Sequence, residues 1–178
     1  MEQGIIDAGR IRLRPFSGAD IGWVYQVSLD PAIQHYIHVP IPYGPQEARY
    51  FVEELAIAGW HRRTRVEFLV EDAASGRRLG RVGIGLVTPG QGDLGFWTAP
   101  DARGQGVATE AVRAVCGWAF TVLGLDLLEW RGEVGHFEAL RVIEKTGFRL
   151  EAGLRKRLVH RGGRVDAWVA SLLATELV

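Results

Sequence analysis

Gly104 and Gly106 stand two residues apart in Arg103-Gly104-Gln105-Gly106-Val107-Ala108, where a strand-like segment gives way to a long helix-like one. The strand-like segment is Asp93 to Thr98. Beyond the glycines, Ala108, Val112, Val115, Ala119 and Val122 form an apolar stripe at helical spacing that ends near Gly124. Leu127 to Val134, with its Leu-Leu pair and Trp130, reads as a buried strand. This one turn therefore commits the chain to a strand, a crossover helix and a second strand in the same sheet.

The rest of the chain supplies further strands. Ile11, Leu13 and Pro15 alternate with Arg10, Arg12 and Arg14, the period-two pattern of a half-exposed or edge strand. Ser17 and Asp20 have the spacing of a capping box, and Ile21, Val24 and Val27 follow at helical spacing until Pro31. From Gln34 to Tyr43 the text is rich in His, Tyr and Pro without a period and reads as an aromatic loop. Gly44-Pro45 then opens a helix carrying Ala48, Phe51, Val52 and Leu55. Arg65 to Glu71 and Leu79 to Val87 read as a hairpin joined by a polar glycine-containing turn. Phe137 to Thr146 is helical, and Phe148 to Val159 with Arg164 to Ala174 form a final antiparallel pair. Consecutive strands followed by a crossover give a mixed, mostly antiparallel central sheet with helices against it, an α/β fold (α+β by some schemes).

A length of 178 residues suits one domain across 1–178, since domains run to roughly 150 residues. Lys plus Arg and Asp plus Glu both number 21, so no net charge draws the chain to nucleic acid or an anionic membrane. Any anion must be bound locally. Cys116 is the sole cysteine, which excludes an intrachain disulfide and suits a reducing compartment, the cytoplasm. No apolar run approaches the roughly 20 residues a bilayer requires, and no His-x-x-x-His spacing suggests a metal.

The turn at 103–108 is suited to a diphosphate. Two glycines and an alanine let the backbone turn tightly and keep side chains away, so successive N–H groups and a helix N-terminus can converge on one anion. A glycine-rich helix start without a ligand is the alternative. No lysine follows the glycines, so the chain lacks the main ligand of a nucleoside triphosphate loop. The dinucleotide fingerprint fails at its third glycine, where Thr109 stands, and Asp126 precedes its strand rather than ending it.

Arg103-Gly104-Gln105-Gly106-Val107-Ala108 resembles the [QR]-x-x-G-x-[GA] signature of the GNAT superfamily of acyl-CoA-dependent N-acyltransferases at every defined position. Gly92-Asp-Leu-Gly-Phe-Trp97, Ala108-Thr-Glu-Ala111, Glu144-Lys-Thr-Gly-Phe148 and Ile11-Arg-Leu-Arg-Pro15 extend the resemblance toward the RimJ/RimL-like branch of ribosomal-protein N-terminal acetyltransferases. The resemblance implies helices on both faces of the sheet and a splayed opening between the fourth and fifth strands, Asp93–Thr98 and Leu127–Val134. It also implies an acyl-CoA, most simply acetyl-CoA, with its pantetheine along Phe96, Trp97 and Thr98. The diphosphate would lie on Gly104, Gln105, Gly106, Val107, Ala108 and Thr109, with Arg103 as support. An amine acceptor would be the partner, with no nucleic acid or membrane; a homodimer is left open.

Two departures bear on catalysis. The branch commonly has Asn and Ser where this chain has His136 and Ala139. His136 has a hydrogen-bonding ring that titrates near neutrality and can hold the cofactor or act on the leaving sulfur. Ala139 has no proton to give. A thiol has a pKa of about 8.5, roughly 2 kcal/mol from its protonated form at pH 7, so a dedicated acid is helpful and not essential. The amine matters more, because attack requires its unprotonated form and an amine like that of lysine titrates near 10.4. Asp93, Glu67 and His136, in that order, are the candidates to take its proton. The aromatic loop with His35, His38, Tyr36 and Tyr43 is a candidate acceptor surface. A non-catalytic acyl-CoA sensor and a dinucleotide-dependent redox enzyme are the alternative readings.

Overall fold

The computed structural model describes residues 4–177. Eight strands form one sheet in the order β1-β2-β3-β4-β5-β6-β8-β7. They are β1 (Ile6–Ala8), β2 (Ile11–Pro15), β3 (Arg65–Asp72), β4 (Arg78–Thr88), β5 (Gln91–Thr98), β6 (Leu127–Glu133), β7 (Arg149–His160) and β8 (Gly163–Leu173). Every neighbouring pair is antiparallel except β5 with β6. The helices are α1 (Ile21–Val27), α2 (Pro31–Tyr36), α3 (Pro45–Tyr50), α4 (Ala58–Arg62), α5 (Val107–Trp118) and α6 (Phe137–Lys145), with wider π-type turns at Phe51–Ile57 and Ala119–Leu123.

Two elements differ from the sequence reading. The short β1 pairs with β2 and is too brief to show a period. The expected loop from Gln34 begins inside α2, whose start is marked by Pro31 at its first position and by Asp30, which accepts the Ile33 amide at 2.9 Å. Because β1 adds a strand, the expected opening lies between β5 and β6.

Helices cover both faces of the sheet. Phe68 and Leu69 are neighbours on β3 and so point to opposite sides. Phe68 belongs to the larger apolar cluster with Val112, Val115 and Ile143 of α5 and α6, whereas Leu69 packs with Phe16, Val24, Ala48 and Val52. Each fully buried Val, Leu or Phe contributes roughly 1.5–3 kcal/mol, so both clusters hold their helices firmly. Asp20 locks the second layer to the sheet: its buried carboxylate takes hydrogen bonds from Arg14 of β2 at 2.8 and 2.9 Å, Arg78 of β4 at 2.8 Å and the Ser17 amide at 2.9 Å.

The parallel pairing stops early. Gln91–Leu94 pair with Leu127–Trp130, after which β5 keeps only β4 and β6 keeps only β8. The β5 edge from Gly95 to Thr98 is therefore open toward β6. No helix of the described residues is long and apolar enough to cross a membrane.

Candidate active site

The opening leads into a cleft of about 550 Å³ between the β5 edge, the 103–109 loop, α2 and α6. Gly104 and Gly106 adopt positive φ of 73° and 79°, the left-handed region that other residues enter at a cost. Gly106 caps α5, and the first hydrogen bond into that helix runs from the Glu110 amide to the Gly106 carbonyl at 3.1 Å. The amides just before Glu110 are thus the orphan donors of a helix start. Arg10 braces the loop from outside, donating through Nε to both Glu110 oxygens at 2.9 and 2.8 Å and through Nη2 to the Gln105 carbonyl.

Every residue expected to hold the cofactor lines this cleft except Gln105, whose side chain instead donates to the Asp101 carbonyl at 2.9 Å. Arg103 pairs with Asp30 at the start of α2 and so ties the loop to the opposite wall. Burial pushes the Asp30 carboxyl up, but hydrogen bonds from Arg103 and the Ile33 amide outweigh it and hold the group below its usual range. Trp97 packs against Trp23, 5.5 Å between ring centroids, and still borders the cleft. Arg141 and Lys145 of α6 add two exposed cations that the sequence reading passed over; their spacing of one helical turn was the available signal. Left-handed glycines, free amides and flanking cations together fit a diphosphate ligand.

A second cavity of about 170 Å³ lies beyond the first and shares Tyr36, Ile37, Phe96, His136 and Ala139 with it. His136 stands at the N-cap of α6, but its side chain makes no capping hydrogen bond and lies against Tyr36. Burial pushes its pKa below the ordinary histidine value against the pull of Glu138 and Glu133, which favours the uncharged ring. Ala139 faces both cavities and is buried, with no group able to donate a proton. His160 and Glu133 also border the smaller cavity.

The two carboxylates expected to act as bases stand elsewhere. Glu67 is 1% exposed and has both oxygens held by Arg81 at 2.5 Å. This pair crosses the sheet over Gly83 and Gly95: a Cβ at Gly83 would strike the Glu67 carboxylate, and one at Gly95 would lie 2.8 Å from Arg81 Nη1. Glu67 lines neither cavity, whereas Arg81 borders the smaller one. Asp93, ranked first from sequence, lies on the part of β5 still paired with β6, opposite Glu129, and also lines neither cavity. Burial pushes its carboxyl up; Arg131 opposes the shift and Glu129 adds to it. Cys116 sits in the core, its thiol pushed up to about 12 by burial, and has no role as a nucleophile.

A splayed β5/β6 edge beside an amide cradle is the arrangement of one acyl-transfer family. The family model for the acetyltransferase (GNAT) domain matches residues 10–149, and the chain belongs to that family of N-acetyltransferases. Among its relatives, the uncharacterized N-acetyltransferase p20 of Bacillus licheniformis is 23% identical over 172 residues, covering 94% of each chain. The spermidine N(1)-acetyltransferase of Escherichia coli (strain K12) is 25% identical over 149 residues, covering 83% of this chain and 77% of that protein. Among solved structures, the ribosomal-protein alpha-N-acetyltransferase RimL in complex with coenzyme A shares the fold with a TM-score of 0.87 at 16% identity, covering 96% of this chain and 98% of that one.

Proposed function

We propose that the chain transfers an acetyl group from acetyl-CoA directly to a primary amine. The observation that carries this reading is the pair of connected cavities. The larger offers the amide cradle to a diphosphate and an open strand edge to a pantetheine arm. The smaller admits an acceptor from the opposite side, and the two meet at Phe96, His136 and Ala139. An N-terminal peptide amine titrates near 8 and needs less help to become a nucleophile than an amine like that of lysine. The donor binds by its diphosphate, His136 stays beside the meeting point, and Arg81, held from behind by Glu67, borders the smaller cavity. The setting we propose is cytoplasmic.

The acceptor we favour is a protein or peptide N-terminus in neutral or acidic surroundings. Arg155, Lys156, Arg157, Arg161 and Arg164 stand exposed on the β7–β8 hairpin, and none pairs with a carboxylate among the described residues. The same hairpin supplies Leu158, His160 and Val165 to the smaller cavity. In a chain whose formal net charge is zero, this local excess repels a polycation and attracts acidic partners. A polyamine, the substrate named for the Escherichia coli relative, is the second reading. Release of free thiol from acetyl-CoA, with mass analysis of the product, decides between them across an acidic peptide with a free N-terminus, spermidine and a small monoamine. Turnover of the peptide above spermidine is expected; binding of acetyl-CoA without any acetylated product contradicts the reading.

A further inference from the structure

Three of the five histidines, His38, His136 and His160, border the smaller cavity. His160, the last residue of β7, borders that cavity with its ring centroid 5.6 Å from His35 and 5.7 Å from His38. Its Nδ1 lies 2.8 Å from an oxygen of Glu133, the last residue of β6. A carboxylate only accepts, so Nδ1 carries the hydrogen and Nε2 of the neutral ring carries the lone pair. That Nε2 is the one buried side-chain nitrogen or oxygen left without a hydrogen-bond partner among the described residues. Unpartnered buried polar atoms are rare in folded proteins and mark sites that a ligand or water completes. His38 is not such an atom's owner, since its own Nε2 is engaged with the Val159 carbonyl at 2.7 Å.

We propose that His160, oriented by Glu133, accepts the proton of the incoming amine. The assignment rests on the reading of the two cavities given above. Once the cavity lining draws back from the buried Nε2, a protonated amine in the smaller cavity passes one proton to it, directly or through one water. The freed nitrogen lone pair attacks the thioester carbonyl carbon; a C–N bond forms and the C–S bond breaks. The sulfur leaves with the bonding pair and takes a second proton from the nitrogen, giving amide and thiol. The Glu133 carboxylate stabilises the imidazolium until it returns its proton to solvent. The other charged and titratable groups facing this cavity are Arg131 of β6, Arg81 of β4, Tyr36 of α2, His38 after α2 and His136 at the start of α6; His35 lies outside the lining but packs against the His160 ring.

The test combines two readouts on the full chain. In protein carrying ¹⁵N-labelled histidine at pH 8, His160 is expected with Nδ1 protonated and Nε2 bare; a protonated Nε2 there overturns the assignment. In steady-state assays with acetyl-CoA and a peptide amine, H160Q is expected to lower kcat about 100-fold at pH 7, within the range removal of a general base produces. The KM for acetyl-CoA should stay within about twofold, and the loss should shrink as pH rises toward the amine's own pKa. E133Q, which leaves the imidazole in place but removes the carboxylate that orients it, is expected to lower kcat about tenfold while the KM for acetyl-CoA stays within about twofold. A folded H160Q with kcat within about threefold of wild type overturns the proposal, as does a folded E133Q with unchanged kcat. If the wild-type chain acetylates no amine, the acetyl-transfer reading falls, while the tautomer measurement still bears on His160 by itself.

Discussion

The imidazole of His136 lies flat on the phenol ring of Tyr36, with 3.7 Å between centroids and 5° between planes. Both residues border both cavities, so the stacked pair stands where the larger cleft meets the smaller chamber. The stack joins α2 to the start of α6, two elements on opposite sides of the sheet opening. A ring pair of this kind contributes about 0.5–1.5 kcal/mol beyond its buried area.

Removing the phenol ring should open that junction. Tyr36→Ala is expected to lower kcat/KM for the amine about tenfold, the upper end of that stacking range. Acetyl-CoA hydrolysis without amine should rise, because water enters where the ring stood. Tyr36→Phe keeps the stack and should stay within about threefold of wild type. Thiol release with and without amine measures both effects.

The layer that carries α1 and α3 depends on Asp20. Burial pushes its carboxyl up, but hydrogen bonds from Arg14, Arg78 and the Ser17 amide more than reverse this and hold it well below the usual carboxylate range. A folded-state pKa below the unfolded value of about 3.9 means the stabilisation is complete above about pH 5 and is lost as pH falls below 4. Asp20→Asn is expected to cost about 3 kcal/mol at pH 7, the low end for breaking a buried pair because Arg14 and Arg78 keep contact with water. Denaturant melts from pH 7 to pH 3 should show the difference between variant and wild type narrowing toward the acid end.

The glycine loop that we propose holds the cofactor is legible in the sequence almost completely, because its signals are local: two glycines at positive φ, a helix start and a strand before it. The proton acceptor we propose is not legible there, for the opposite reason. Glu133 and His160 are 27 residues apart, and only the β6-β8-β7 strand order brings them together. Glu67 looks free in the sequence, yet register sets it beside Gly83 and under Arg81. Asp93 lies two residues before the open edge, a difference fixed by where β5 and β6 part. The missed α2 had its start signal in Asp30-Pro31, but six residues are too few to show a helical period.

The β7–β8 hairpin makes acceptor choice depend on charge. Replacing Arg155 and Arg157 by Glu is expected to raise KM for an acidic peptide several-fold while leaving the acetyl-CoA KM unchanged. Raising salt from 0.05 to 0.5 M should weaken the wild type toward the variant, since exposed charges are screened over about 10 Å at 0.1 M. A small uncharged-bodied monoamine should respond to neither change.

The most direct test is a calorimetric titration of the chain with coenzyme A and with pantetheine, which lacks the diphosphate, repeated on Gly106→Val. Valine is strained at a φ of 79°, and its Cβ would stand 3.2 Å from Arg10. If the 104–109 amides hold the diphosphate, coenzyme A binds at least about 100-fold more tightly than pantetheine, equivalent to one or two charge-assisted hydrogen bonds, and the variant loses most of that advantage. Equal affinities for the two ligands, or a variant that binds coenzyme A like the wild type, contradict the account.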